Sequence, residues 1–251
     1  MSVRPPILPA CAVVGVALNA GACFGASGTP VVLTGAPPAS SASAPAAPAA
    51  PDVVWAERFD GPSVAWVTPL GGLAGKADRV FSVKREGAMT FLHARHDGTP
   101  EAEKVGFVHF GKLFEPHGPP LDQVRSLRWK WRVRRHPANT TNPWGDVAAS
   151  VYAIVKPPSL LGGGKGFRFG WLSARGVTGT FRVGLARVPL REQPASDEWM
   201  SEEIDVCALF REMFGPCEGE HLNYVGVATE ADDTQSIAEA DYTDFELRVR
   251  R

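Results

Sequence analysis

Charge of either sign is nearly missing from the start of this chain. Arg4 and Asp52 are the only charged side chains in the first 52 residues, out of 26 Lys+Arg and 27 Asp+Glu in all. A basic surplus is missing too. The net charge is -1 at pH 7, which argues against a nucleic-acid binder, whose surface carries excess Lys and Arg. No apolar run is long enough for a comfortable membrane span, which needs roughly 20 residues; the longest, Ile7 to Ala22, is interrupted by Pro9, Gly15 and Asn19. Cysteines number only four, and no further Cys or His stands at ligand spacing beside Cys207 and Cys217, so a zinc-type pair has no support. No G-x-S-x-G elbow occurs. The histidines (93, 96, 109, 117, 136 and 221) are scattered, and none pairs by spacing with a Ser or Cys.

What the first segment does contain is an address. An Arg-bearing start (Met1 to Pro6), an apolar middle and the small residues Ala20-Gly21-Ala22 make a bacterial export signal over 1–22. Cys23, just past the cut, reads as a lipid-attachment site after a lipobox-like sequence, although Ala20 stands where that motif usually has Leu. Simple secretion and a retained anchor helix are the alternatives. Residues 23–52 are almost wholly Ala, Pro, Ser, Gly and Thr. Such a stretch cannot bury enough apolar surface to offset its ordering entropy and reads as a disordered, semi-rigid tether. The shift in composition at 52–53 marks the start of one domain, 53–251, large enough for a real core. The chain is therefore expected in the periplasm or cell envelope. In that oxidising setting Cys207 and Cys217 are expected to form a disulfide, two buried free thiols being the alternative.

Beyond residue 52, alternation dominates. In Leu127 to Arg134, Leu127, Trp129, Trp131 and Val133 point one way and Arg128, Lys130, Arg132 and Arg134 the other. Asp146 to Val155 reads as a strand buried on both faces. Strands are also expected at 80–83, 89–94, 105–110, 180–188, 222–229 and 240–249. Only 205–214 has helical spacing, with Asp205 as N-cap and Gly215-Pro216 as stop. Many strands with one short helix predict an all-β antiparallel sandwich or jelly roll.

Several segments imitate chemistry. Glu203 to Cys207 resembles the E-I-D-x-x-E strand of a glycoside hydrolase family, yet Cys207-Ala208 supply no third carboxylate to act as acid. Leu160 to Phe167 imitates a phosphate loop without the Ser or Thr that follows the lysine and reads as a hairpin tip. The acidic C-terminal run offers Asp241 and Asp244, which with Glu57 and Asp60 near the domain start are candidate ligands for a structural calcium. Ordinary solvated carboxylates are the alternative. Alternation there puts Asp241 on one face and Asp244 on the other. Trp144, Trp199, Asp146 and Asp233 are candidate ligand-binding residues, with Trp66 a third tryptophan near turns.

The segments "LRWKWRV", "GDVAASVYAIV", "EWMSEEIDVCALFREMFG" and "YVGVATEADDTQSIAEADYTDFEL", in that order, resemble an uncharacterised bacterial exported-protein family, a domain of unknown function (number 3047). Trp129, Trp131, Asp146, Tyr152, Asp233, Thr234, Ala240, Tyr242 and Asp244 stand at matching positions; Glu230 replaces an Asp of the pattern and Asp233 an Asn. The resemblance implies export and a layout similar to galactose-binding-like jelly rolls. That family brings no established activity. The expectation is a non-catalytic binding domain on an envelope tether, its ligand a glycan or other envelope polymer. The alternatives are an envelope hydrolase, using Glu203 with Glu230 or Asp233, and a structural lipoprotein that binds another protein through a broad apolar patch. Oligomeric state cannot be read from the sequence.

Overall fold

The computed structural model describes residues 30–31, 52–61, 64–68, 76–138, 142–157, 163–180 and 184–250. The signal segment 1–22, Cys23 and all of the 23–52 tether except 30–31 and 52 lie outside these residues. In chain order the elements are β1 (Pro30–Val31), β2 (Val53–Glu57), β3 (Trp66–Val67), α1 (Ala77–Val80), β4 (Phe81–Glu86), β5 (Met89–Asp97), β6 (Phe110–Leu113), β7 (Val124–Arg135), β8 (Ala149–Lys156), β9 (Lys165–Leu172), β10 (Gly179–Thr180), β11 (Leu185–Glu192), β12 (Met200–Ile204), α2 (Val206–Phe214), β13 (Tyr224–Ala228) and β14 (Ile237–Val249).

They form two sheets. The larger runs β1-β3-β6-β13-β8-β9-β11-β10; the smaller runs β12-β7-β14-β5-β4, with β2 also on β14. The period-2 pattern drives the packing. Leu127, Trp129, Trp131 and Val133 of β7 enter the core, as do Val151, Ala153 and Val155 of β8 and Phe167, Phe169 and Trp171 of β9. The sheets meet through these rings: Trp129 lies 5.5 Å from Phe169 and Trp131 5.8 Å from Trp171, centroid to centroid. Each such side chain contributes about 1.5–3 kcal/mol by burial. The result is an all-β sandwich, and β8 is buried on both faces as expected.

Helix α2 begins where expected. The Asp205 carboxylate accepts from the Ala208 amide at 2.9 Å, and Gly215 takes a positive φ at its end. Cys207 and Cys217 are disulfide-bonded and tie the helix to the segment after it.

The structure corrects several expectations. One seam, β9 with β11, is parallel, so the sandwich is mixed rather than wholly antiparallel. A second helix, α1, precedes β4. Strand β2 was not among the expected strands, β9 begins in the segment read as a hairpin tip, and β12 includes Glu203 and Ile204 of the segment that resembles an enzymatic motif. Of the supposed hairpin tip, 160–162 lie outside the described residues, whereas Lys165 to Phe167 belong to β9. The strand expected over 105–110 is displaced to β6. Pro30 and Val31, assigned to the tether, pair with Val67 and Trp66.

Candidate functional site

The alternation that buries the tryptophans of β7 sends Arg128, Lys130, Arg132 and Arg134 to the outer face of the smaller sheet. Adjacent β14 answers with carboxylates. Cross-strand register sets Ser82 opposite His93, His93 opposite Asp241, and Asp241 opposite Arg132, in one row over four strands. Asp241 has no solvent exposure. Its Oδ1 lies 2.7 Å from His93 Nδ1, and its Oδ2 accepts from Arg132 Nε at 2.7 Å and from Arg134 Nε at 2.6 Å. Burial works to raise the Asp241 carboxyl, but the hydrogen bonds from His93, Arg134 and Arg132 outweigh it and hold it below its ordinary value.

Around this centre the face continues as a charged ladder. Arg132 also pairs with Glu86, Arg95 with Glu239, Lys130 with Asp244 at 2.8 Å and Arg58 with Glu246 at 3.0 Å. Trp199 stacks on the Arg132 guanidinium, 4.4 Å from ring centre to Cζ, and meets Phe91 edge-on at 5.5 Å. Two depressions open on this face. One, about 410 Å³, is lined by Lys84, His93, Arg95, Arg134 and Glu239. The other, about 210 Å³, is lined in part by Arg58, Arg128, Lys130, Ser201 and Glu202. Such a surface offers planar, bidentate donors and acceptors beside a partly exposed indole. Ser82, His93 and Asp241 share a row, but two guanidiniums already neutralise the carboxylate that would have to support an imidazolium, so the row is poor nucleophile chemistry.

The four expected calcium ligands do not converge. Glu57 lies opposite Phe245, a core residue, so its carboxylate sits on the inner side, where it accepts from the Phe59 amide at 2.7 Å. Burial raises it. Asp60 is exposed beyond the end of β2. Asp241 and Asp244 share the outer face, contrary to simple alternation. A bulge between Thr243 and Glu246, with Asp244 at φ 52°, turns Asp244 toward Lys130. Among the described residues no group of three or more His, Cys, Asp or Glu side chains is placed to hold a metal ion.

The other candidate residues gather on the outer side of the larger sheet. Trp144 is 3% exposed, so it is packed rather than free to stack on a ligand. Its indole donates to the Val177 carbonyl at 3.2 Å and its face meets Arg168 and Arg187. Trp66 is likewise core. Asp146 is buried and accepts from the Thr234 amide and hydroxyl at 2.6 Å each and from the Asp233 amide at 3.3 Å; it ties down the turn before β14. Asp233 is exposed on that turn. Beside them Arg168 donates to Glu230 and to Ser150 Oγ. Burial, against the pull of Arg168, pushes the Glu230 carboxyl up to about 7. His109 lies 4.0 Å from the Tyr152 ring, is buried and leaves Nε2 without a hydrogen-bond partner. Glu203 sits on β12 of the smaller sheet, bonded to Ser126 Oγ at 2.9 Å. The pair Glu203 and Glu230 therefore belongs to different sheets and does not form a hydrolase site. Among the described residues the large exposed apolar side chains are Val54 and Val177.

Sequence reasoning missed His93, Arg132 and Arg134 as a unit. The usable signal was complementarity: a strand with four outward cations needs a neighbour with outward carboxylates, and Glu239, Asp241, Asp244 and Glu246 supply one.

No family model matches this sequence, and no curated protein matches it. Among solved structures the chain is similar to endoglucanase cel12A from Rhodothermus marinus, at 13% identity and TM-score 0.38, over 67% of this chain and 85% of that one.

Proposed function

We propose that this chain is an exported, envelope-tethered, non-catalytic binding domain whose ligand is a glycan or related envelope polymer. The outer face of the smaller sheet takes the ligand. One observation carries the reading: two depressions on a single sheet face, lined by arginines, lysines and carboxylates, with partly exposed Trp199 stacked on Arg132 of the same face. Hydroxyl groups of a sugar pair with such planar side chains, and sugar C–H faces pack on an indole. A face that holds two such depressions suits a polymer better than a compact metabolite. Export rests on the sequence signal over 1–22, and lipid attachment on Cys23; the Cys207–Cys217 disulfide is in keeping with an oxidising compartment. Membership of the exported family named above belongs to the same proposal.

Glycan-array screening followed by calorimetry with cell-wall fragments, on the folded full chain, tests it. Binding to at least one polymer, weakened by Trp199→Ala and by Arg128→Ala without loss of fold, is expected. Silence on the array and in calorimetry overturns the reading.

A further inference from the structure

We propose that the 410 Å³ depression on this face is a subsite for an oxyanion carried by the bound polymer, and that filling it draws a proton onto His93. The inference deepens the reading above and rests on it.

The lining is asymmetric in charge. Lys84 from β4, His93 and Arg95 from β5, and Arg134 from β7 present nitrogen; Glu239 from β14 is the single carboxylate, and Arg95 already holds it. Lys84 has no ion-pair or hydrogen-bond partner among the described residues, so its ammonium is available to a ligand. The volume lies within the range of small-ligand sites, and the depression is open to solvent.

His93 gives the site its proton linkage. Its Nδ1 is fixed on Asp241, whose carboxylate is held ionised by Arg132 and Arg134 and can only accept. Nδ1 therefore carries a hydrogen in either protonation state. Nε2 is the nitrogen left for the depression. It is a bare acceptor on the neutral ring and a donor on the imidazolium. An oxyanion accepts and does not donate, so it pairs only with the imidazolium. The ligand therefore binds one protonation state better, and binding must move the proton equilibrium by the same factor. The charged groups facing His93 are Lys84 and Glu86 of β4, Arg95 of its own strand, Glu239 and Asp241 of β14, and Arg132 and Arg134 of β7. Asp97 and Asp197 stand at the rim, paired with Arg95 and Arg134. The carboxylates among them are all engaged by guanidiniums, which leaves Lys84 and the His93 ring as the groups a ligand can recruit.

The ligand chemistry is an oxyanion, which a phosphodiester and a uronic carboxylate both supply. Three probes separate the sources: poly(glycerol phosphate), polygalacturonate and neutral dextran, each titrated by calorimetry into the full chain. Repeating the titration in two buffers of different ionisation enthalpy, from about pH 6 to about pH 8, counts protons taken up. One or both anionic polymers should bind about tenfold more tightly than dextran, with net proton uptake on binding. Lys84→Glu, at an exposed and unpaired position, should lower that affinity about threefold to tenfold. His93→Gln should abolish the uptake. If His93→Gln does not fold, wild-type proton uptake and the Lys84→Glu result still decide the matter. Equal binding of all three polymers, or binding without proton uptake, overturns the subsite and leaves the general reading standing. Failure of every polymer to bind overturns both.

Discussion

His93 and Asp241 face each other on neighbouring strands, with His93 Nδ1 2.7 Å from Asp241 Oδ1. They are 148 residues apart in the chain. Two guanidiniums complete the arrangement, so one fully buried carboxylate answers two arginine cations and an imidazole at the centre of the sheet. That carboxylate is the keystone of the face described above, because without it Arg132, itself only 2% exposed, would be a buried charge short of a counter-ion.

Asp241→Asn should therefore be costly. It preserves shape and removes charge, leaving Arg132 with the exposed Glu86 alone. Removing one partner of a buried ion pair costs about 3–5 kcal/mol, which corresponds to a fall in Tm of about 10 °C for a domain of this size. Thermal denaturation followed by circular dichroism measures it. A shift within 2 °C or so of wild type would mean that the cluster is solvated and contributes little.

The same group sets an acid limit. Its folded-state pKa lies below the ordinary value of 3.8. Its contribution is thus present at higher pH and lost as pH falls through 3.8 and below, where the unfolded chain binds a proton that the folded chain resists. In acid titrations, wild type should lose stability in that window and Asp241→Asn should show a flatter profile there.

How far the sequence foretold this molecule depends on how local each signal was. The β7 alternation and the α2 spacing with its Asp205 cap are carried by consecutive residues, and both are realised. Strand β9 was hidden because Gly166 and Gly170 take two of its outward positions, so Arg168 alone supplied the polar counterpoint to Phe167, Phe169 and Trp171 that marks a half-buried strand. The parallel seam of β9 with β11 has no local signature, since pairing direction is decided by how the chain returns. The bulge at Asp244 reversed the face assigned to that residue. The central cluster was the least legible part. His93, Arg132 and Asp241 belong to three strands, and only register brings them into one row.

The disulfide offers a separate test. Cys207 and Cys217 close a short loop, with a sequence separation of 10, which restricts the unfolded chain by about 2–3 kcal/mol. Replacing both by Ser should lower Tm by about 5–10 °C while leaving binding at the outer face intact, because α2 does not line either depression. Denaturation with and without reductant should reproduce the loss in wild type and show no effect of reductant on the double variant.

Glu230 and His109, on the outer side of the larger sheet, should tilt the stability profile in opposite directions. Burial raises Glu230 from 4.5 to about 7. A raised carboxyl contributes stability below 4.5 that is lost as pH climbs to about 7, since the folded state then holds the extra proton. Burial, with Arg168 adding to it, lowers His109 from 6.5 to about 3. A depressed imidazole contributes above 6.5 and loses that contribution as pH falls toward 3. Between 4.5 and 6.5 the two slopes cancel, and outside that interval one of them acts alone. Urea unfolding should therefore show wild type losing about 2–3 kcal/mol relative to Glu230→Gln between about pH 5 and about pH 8. It should also lose about 3 kcal/mol relative to His109→Phe between about pH 6.5 and about pH 4. Phe keeps the ring that packs against Tyr152 and removes the Nε2 that lacks a partner, so this variant should also match or exceed wild-type stability at neutral pH. Parallel profiles for wild type and both variants would show that water reaches these groups and that neither is held in its neutral form by burial.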